Sequence, residues 1–384
     1  MSLLAPALTS DQSAIVDAVH DFADRVLAPG ADAWDEAHEL PLEVLRQAGE
    51  LGLGGIYASE QRGGSGLSRA DAALIFEELA RGDVTTAAWI SIHNMAVWMI
   101  DAFGTPEVAD AWVPRLATLE EIAAYCITEP DAGSDAAALT TTAIRDGADY
   151  VLTGVKQFIS GAGVASAYVV MARTGGQGAQ GITAFLVPAD SAGLSFGPLE
   201  RKVGWRAQPT RQVILDGVRV PARNVLGAEG GGFTIAMRGL NGGRINVAAC
   251  SLGGAQWAFE KATAYVQERH AFGKPLAQLQ TVVFSLADMQ ARLSASRWML
   301  HGAATALDAG QVDAPAQCAM AKRFTTDAAF EVANAALQLH GGYGLLADYG
   351  IERVIRDLRV HQVVEGANEI MQLIVGRHVL ESAR

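Results

Sequence analysis

The chain has 384 residues, 50% of them hydrophobic and only 18% charged, an ordinary globular profile with room for two or three domains. A net charge of -13 and a pI near 5.1 argue against nucleic-acid binding and against a basic membrane-surface role. The three cysteines, Cys126, Cys250 and Cys318, lie far apart with no CxxC pair, so a reducing compartment is expected, with no disulfide or zinc framework.

Met1 to Asp11 has no basic or apolar segment of a targeting type. The expected location is cytoplasmic, or the mitochondrial matrix for a processed eukaryotic form. Thr9 and Gln12 make a possible capping box. Ile15, Val19, Phe22 and Val26 then line one helical face before Pro29-Gly30. Leu42, Leu45 and Ala48 predict a second helix, stopped by Gly52 to Gly55, and another runs from about Ala70 through Leu79. The uncharged stretch from Val84 to Ile100 carries Thr, Ser, His and Asn and is short for a bilayer, so it reads as a buried core helix with no membrane span.

The middle of the chain changes period. Val151, Thr153 and Val155 alternate, as do Ala167, Val169 and Met171, then Ile182, Ala184 and Leu186, then Val213 and Leu215. An antiparallel β domain with a long flexible Gly175 to Gly181 loop is expected. Long helices return after it. Val282, Leu286, Met289, Leu293, Ser296, Leu300, Ala303 and Leu307 step by four and three, a bundle seam. With the segments around Ile245 to Tyr265, Pro315 to Leu339 and Ile351 to His361, this predicts an antiparallel four-helix bundle. The expected fold class is α+β: an N-terminal helical domain (1–121), a middle β domain (122–228) and a C-terminal helical bundle (229–384).

The most informative stretch is Val363-Val364-Glu365-Gly366-Ala367-Asn368-Glu369-Ile370. An apolar pair delivers a carboxylate to a glycine hinge between two amphipathic helices, with Asn368 expected as the N-cap and Glu369 in the first turn. Such an acid beside Val363 and Val364 can have a raised pKa and act as a general base. Taken alone, it is more often a solvated loop acid.

Five other stretches carry possible chemistry. Tyr125 to Asp135 breaks an apolar strand at Pro130 into a loop of hydroxyls and glycine, able to offer donors to a flat polar ligand. Lys156 to Gly163 places Phe158 and Ser160 two residues apart, on one side of a strand. Leu240 to Asn246 interrupts a helical pattern with Gly242 and Gly243, with Asn241 and Arg244 facing whatever passes there. Arg269 to Leu276 is a basic connector suited to a phosphate, and Gln338 to Gly344 closes a helix with a glycine cluster. Each alone also fits an ordinary turn, cap or helix contact. No nucleophile elbow, P-loop or H-E-x-x-H occurs, Gly342-x-Gly344 lacks the third glycine of a dinucleotide fingerprint, and the histidines show no metal-ligand spacing.

In this order the stretches resemble the acyl-CoA dehydrogenase family over essentially the whole chain, with Cys126 to Asp135 and Gln338 to Asp357 looking like its two signatures. Arg238 to Ile245, Gly204 to Arg211 and Phe158 to Gly163 look most like the branch acting on isobutyryl-CoA. The resemblance implies FAD as cofactor. Tyr125, Ile127, Thr128, Gly133, Ser134, Phe158, Ile159 and Ser160 would cover its ring. Arg269, Phe272, Leu279 and Gln280, with Gln338, Leu339, His340, Gly341 and Gly342, would hold the rest, partly across a subunit interface. Ala367, Asn368 and Glu369 would reach the flavin from the helix start. Ser134, Asn241, Gly242, Gly243, Arg244, Gly366 and Arg377 would contact an acyl-CoA substrate, and Glu365 would be the base.

It further implies α,β-dehydrogenation with hydride passing to flavin N5, isobutyryl-CoA becoming methacrylyl-CoA in valine breakdown. The partners implied are an electron-transfer flavoprotein and three further copies of the chain, with no metal. Relatives that carry the base near Gly243 are set apart, because no carboxylate stands there. Ala367 and Ser160 depart from the family's usual Thr or Ser and Thr. The alternatives are a 2-methylbutyryl-CoA or butyryl-CoA dehydrogenase, an oxygen-using acyl-CoA oxidase and a non-catalytic binding protein.

Overall fold

The structure is a computed structural model and describes residues 5–383; Met1 to Leu4 of the stretch read for a targeting segment lie outside them. Helices α1 (Ser10–Phe22), α2 (Ala31–Ala37), α3 (Leu42–Glu50), α4 (Arg69–Gly82), α5 (Val84–Phe103) and α6 (Pro106–Ala117) come first. The capping box at Thr9 and Gln12 forms, and α1 runs on through a wider turn to Leu27. α2 and α6 were not anticipated; both are short, and Pro at N1 and a Thr105 cap start α6. α5 is enclosed on nearly every side, from Val84 to Val97 without a break. Among the described residues no helix is long and apolar enough to cross a membrane.

The middle region holds β1 (Ala123–Cys126), β2 (Thr142–Asp146), β3 (Asp149–Ser160), β4 (Ala167–Arg173), β5 (Ile182–Pro188), β6 (Leu194–Phe196), β7 (Thr210–Pro221) and β8 (Val225–Leu226). The sheet runs β6-β7-β3-β2-β4-β5-β8 with β1 beside β4. It is not purely antiparallel, because β1 runs parallel to β4. β4 also departs from a one-sided pattern. Tyr168, Val170 and Ala172 join the core shared with the helices, while Ala167, Val169 and Met171 pack against α5 and α6. A strand covered on both faces reads as a continuous apolar run. The Gly175 to Gly181 loop is closed by hydrogen bonds: Arg173 Nη1 donates to the carbonyls of Gly176 and Gly178, and Thr174 N–H to that of Gly181.

The last region is α7 (Gly232–Glu268), a hairpin of β9 (His270–Ala271) and β10 (Lys274–Pro275), then α8 (Gln280–Asp308), α9 (Ala314–His340), α10 (Ile351–His361) and α11 (Asn368–Ser382). The α8 seam is buried at Val282, Met289, Leu293, Ser296, Leu300 and Ala303. α7 is unbroken through Gly242 and Gly243, against the interruption expected from two glycines. Each costs roughly 1 kcal/mol in a helix, but the helix needs the space. A Cβ on Gly243 would sit 2.5 Å from Glu365 Oε2, and one on Gly242 would sit 2.4 Å from Arg69 Nη1. Two charged side chains of opposite sign are thus received on successive steps of one helix.

Candidate active site

α10 ends at His361, and the N–H groups of Val363 and Val364 both turn back to the Val360 carbonyl. Gly366 takes φ 97°, as expected, but Glu365 itself is also left-handed at φ 56°. A non-glycine residue there stores roughly 1–2 kcal/mol of strain. Lys322 on α9 fixes this joint, its Nζ donating to the Gly366 carbonyl and to Asn368 Oδ1, each at 2.8 Å. Asn368 is therefore not the N-cap. Ala367 occupies that position, and the Asn368 amide is turned inward, donating to Thr326 Oγ1 and Asp327 Oδ1 at 3.0 and 2.7 Å. The buried lysine outcompetes the cap.

Glu365 as a whole is half-buried, but its Oε2 is enclosed and has no hydrogen-bond partner among the described residues. Burial pushes the carboxyl up to about 7, against the opposing pull of Arg244 and Lys322. Lys322 is brought down to about 8 by the same desolvation. Arg244 Nη1 donates to Asn241 Oδ1 at 2.7 Å and Nε reaches toward the Glu365 carbonyl at 3.4 Å. Arg244 thus joins Asn241 to the hinge. Two phenols, Tyr57 and Tyr125, are raised by burial and feel the Glu365 charge, so both lie beside it.

Tyr125 links the hinge to the sheet, at the end of β1. Its loop is sewn to β3 by Gln157 N–H donating to the Thr128 carbonyl at 2.8 Å and by a fully buried ion pair, Lys156 Nζ to Glu129 Oε1 at 2.7 Å. Glu129 also accepts the N–H groups of Thr140 and Thr141. Burial alone would raise this acid, but Lys156 and the hydrogen bonds hold it down at about 2. Phe158 does not follow the strand alternation: the ladder shifts between Lys156 and Ile159, and Phe158 is left-handed at φ 59° and 63% exposed. Gly133 and Ser134 are exposed on the loop, Ile127 and Ile159 are buried, and Thr128 and Ser160 are half-buried.

A second group forms around the end of α9. Gly341 closes the helix at φ 59°, Tyr265 stacks on His340 at 4.2 Å, and Arg269 lies over Tyr343. Phe272 is left-handed at the hairpin tip and 91% exposed. Leu279 and Gln280 start α8, Gln338 is exposed and Leu339 half-buried. His340 stands roughly 27 Å along α9 from Lys322, at ~1.5 Å per residue. One chain therefore holds two separate groups, one at the hinge and one at this helix end. Arg377 is exposed on α11, where only Asn368 and Met371 are buried, so Leu373, Val379 and Leu380 face outward.

Lys322, Tyr57, Met95, whose sulfur would lie 3.2 Å from a Cβ on Gly243, and the Lys156–Glu129 pair were not anticipated from the sequence. Lys322 had a signal: a lysine among Cys318, Ala319, Ala321, Thr325 and Thr326, on an otherwise small and uncharged buried surface.

The three family models for the acyl-CoA dehydrogenase N-terminal, middle and C-terminal domains match residues 9–120, 124–218 and 230–380. The chain belongs to the acyl-CoA dehydrogenase family, FAD-dependent oxidoreductases. It is 50% identical over 374 residues to the mitochondrial isobutyryl-CoA dehydrogenase of Bos taurus, covering 97% of this chain and 90% of that protein. Among solved structures, butyryl-CoA dehydrogenase from Megasphaera elsdenii superposes with a TM-score of 0.95 at 36% identity, over 98% of this chain and 99% of that one. A glutaryl-CoA dehydrogenase from Mycobacterium smegmatis in complex with FADH2 gives a TM-score of 0.92 at 32% identity, over 97% and 95%. The local chemistry fits the cofactor. The enclosed Tyr125 hydroxyl has no hydrogen-bond partner among the described residues and lies close enough to the hinge to feel the Glu365 charge, and the exposed Phe158 stands on the strand joined to its loop.

Proposed function

We propose that this acyl-CoA dehydrogenase oxidises isobutyryl-CoA to methacrylyl-CoA, as in valine breakdown, with Glu365 taking the α-proton. The observation that carries this reading is the enclosed, unpaired Glu365 Oε2, packed where Gly243 leaves room for it. Its pKa of about 7 keeps a large share of it ionised near neutral pH, while matching it better to a weakly acidic proton than an ordinary carboxylate would be. FAD, when bound, supplies the acceptor for the hydride leaving the β-carbon.

The remaining steps belong to the protein. Lys322 and Arg244 grip the carbonyls of Gly366 and Glu365 and so aim the acid. The Glu365 N–H has no acceptor among the described residues and is free to stabilise charge developing on the thioester oxygen. The Tyr125 to Ser134 loop and Phe158 to Ser160 would hold the ring. The group around Arg269 and Gln338 to Gly342, distant from the hinge within one chain, would hold the rest of FAD for a neighbouring copy. The uncovered apolar residues of α11 support a homotetramer, and an electron-transfer flavoprotein is the proposed electron acceptor.

Initial rates across isobutyryl-, 2-methylbutyryl- and butyryl-CoA with an artificial electron acceptor test the reading. The highest kcat/KM is expected for isobutyryl-CoA; a clear preference for straight chains rejects it.

A further inference from the structure

Beside the hinge sits a third, small apolar cluster made of Ala88 and Ile92 on α5 and Trp205 from the loop between β6 and β7, with Val360 and Val364 packed against it. We propose that Trp205 sets the length of acyl chain this enzyme accepts, its indole closing the far end of the acyl pocket; this rests on the isobutyryl-CoA reading and explains its selectivity.

Two helices lead from the base to the indole. On α7, Gly243, Val247 and Ser251 recur every four residues on one face. Gly243 receives Glu365, and Ser251 holds His361, the partner of Trp205. On α5, Met95, Ile92 and Ala88 share a face in the same way. The Met95 sulfur would lie 3.2 Å from a Cβ on Gly243, while Ile92 and Ala88 touch Trp205. From Met95, Ile92 and Ala88 lie roughly 5 and 10 Å along the axis, at ~1.5 Å per residue. Val364, adjacent to the base, closes the third side. The span from base to indole matches an acyl chain of a few carbons, and the side chains along it, Ala88, Ile92 and Val364, are small or branched and apolar.

The indole is fixed in place. Trp205 Nε1 donates to His361 Nε2 at 3.1 Å, His361 Nδ1 is 2.6 Å from Ser251 Oγ, and Ser251 Oγ donates to the Val247 carbonyl at 2.8 Å. The donors and acceptors chain in one direction only, which makes His361 a neutral ring protonated at Nδ1. The Trp205 backbone is left-handed at φ 54°, its N–H held by Asp357 Oδ1 at 2.6 Å. Gly204 lies so close to the α10 backbone that a Cβ would fall 2.4 Å from the Arg356 carbonyl. A strained backbone and a fully paired side chain, from a different domain than the base, are more than filling a gap requires.

The test compares purified, flavin-loaded wild-type, Trp205→Leu and Trp205→Phe enzymes on isobutyryl-, butyryl- and hexanoyl-CoA. Trp205→Leu is expected to raise the hexanoyl to isobutyryl ratio of kcat/KM at least tenfold, the scale on which a pocket discriminates by methylenes. Trp205→Phe, which keeps most of the ring, should move it less than threefold. An unchanged ratio in Trp205→Leu, whatever happens to the absolute rates, overturns the proposal, since a merely structural role lowers all substrates together. If Trp205→Leu fails to hold flavin, Trp205→Met takes its place under the same criterion. The wild-type profile is read first. A straight-chain preference there rejects the isobutyryl-CoA reading itself, whereas an isobutyryl preference with a flat Trp205→Leu ratio rejects only the role of Trp205.

Discussion

Two of this molecule's glutamates, each with an enclosed carboxylate oxygen, have been treated in opposite ways. Glu129 sits in the loop after β1 with its oxygens occupied by Lys156, Thr140 and Thr141, and is held at about 2. Glu365 sits at the joint of α10 and α11 with one oxygen unpaired, and is pushed up to about 7. Burial alone raises both. What separates them is that a lysine contacts the first carboxylate, whereas Lys322 and Arg244 bond the backbone and the amide side chains around the second and not its carboxylate. A fully paired buried acid ties two segments together, and one left short of partners is poised to move a proton.

The contrast breaks most visibly at the base. Glu365→Gln should lower kcat by roughly 10²- to 10⁴-fold, the range for losing a general base, while flavin content and thermal unfolding stay near wild type. Lys156→Met should do the reverse. It strands Glu129 in the interior at a cost of about 3–5 kcal/mol, read as a lower denaturation midpoint and looser flavin, with turnover per bound flavin largely kept.

The pH dependence sharpens the comparison. Because the base must be ionised, kcat/KM should rise with pH through about 7 and then level off. Lys322→Met removes a cation that favours the ionised form, so that inflection should move to higher pH. Stability runs oppositely at the two acids. Glu365 titrates near 7 in the folded chain against an ordinary 4.5, so the folded state keeps a proton the unfolded chain has released, and this group's contribution falls between those values as pH rises. Glu129 titrates near 2 against 4.5, so its contribution is complete above 4.5 and disappears as pH falls through 2. Denaturation curves of wild type minus Glu365→Gln, and of wild type minus Glu129→Gln, should show these opposite slopes. The smallest effect is expected at the helix start: Ala367→Thr supplies the missing cap to α11 and should add about 1 kcal/mol to stability.

The hinge was legible because its signals are local: an apolar pair, an acid, a glycine and a helix start fall within eight residues. The helical–β–helical order was legible from periodicity for the same reason. Lys156 and Glu129 were not, because a strand and a loop 27 residues apart become partners only when the sheet forms. Trp205 and His361 are 156 residues apart and belong to different domains. The glycine pair on α7 was seen but misjudged. Glycine weakens helices in isolation, and only the arrival of Glu365 and Arg69 against that face explains why the helix keeps both.

The central claim, that Glu365 takes the α-proton, can be tested apart from hydride transfer. A CoA thioester with sulfur in place of its β-carbon can lose an α-proton but has no β-hydrogen to give up. Incubated with the flavin-loaded enzyme in deuterated water, it should acquire deuterium at the α-carbon at a rate that rises through about pH 7, and should acquire almost none with Glu365→Gln. Exchange by Glu365→Gln at the wild-type rate would place the base elsewhere and contradict the account.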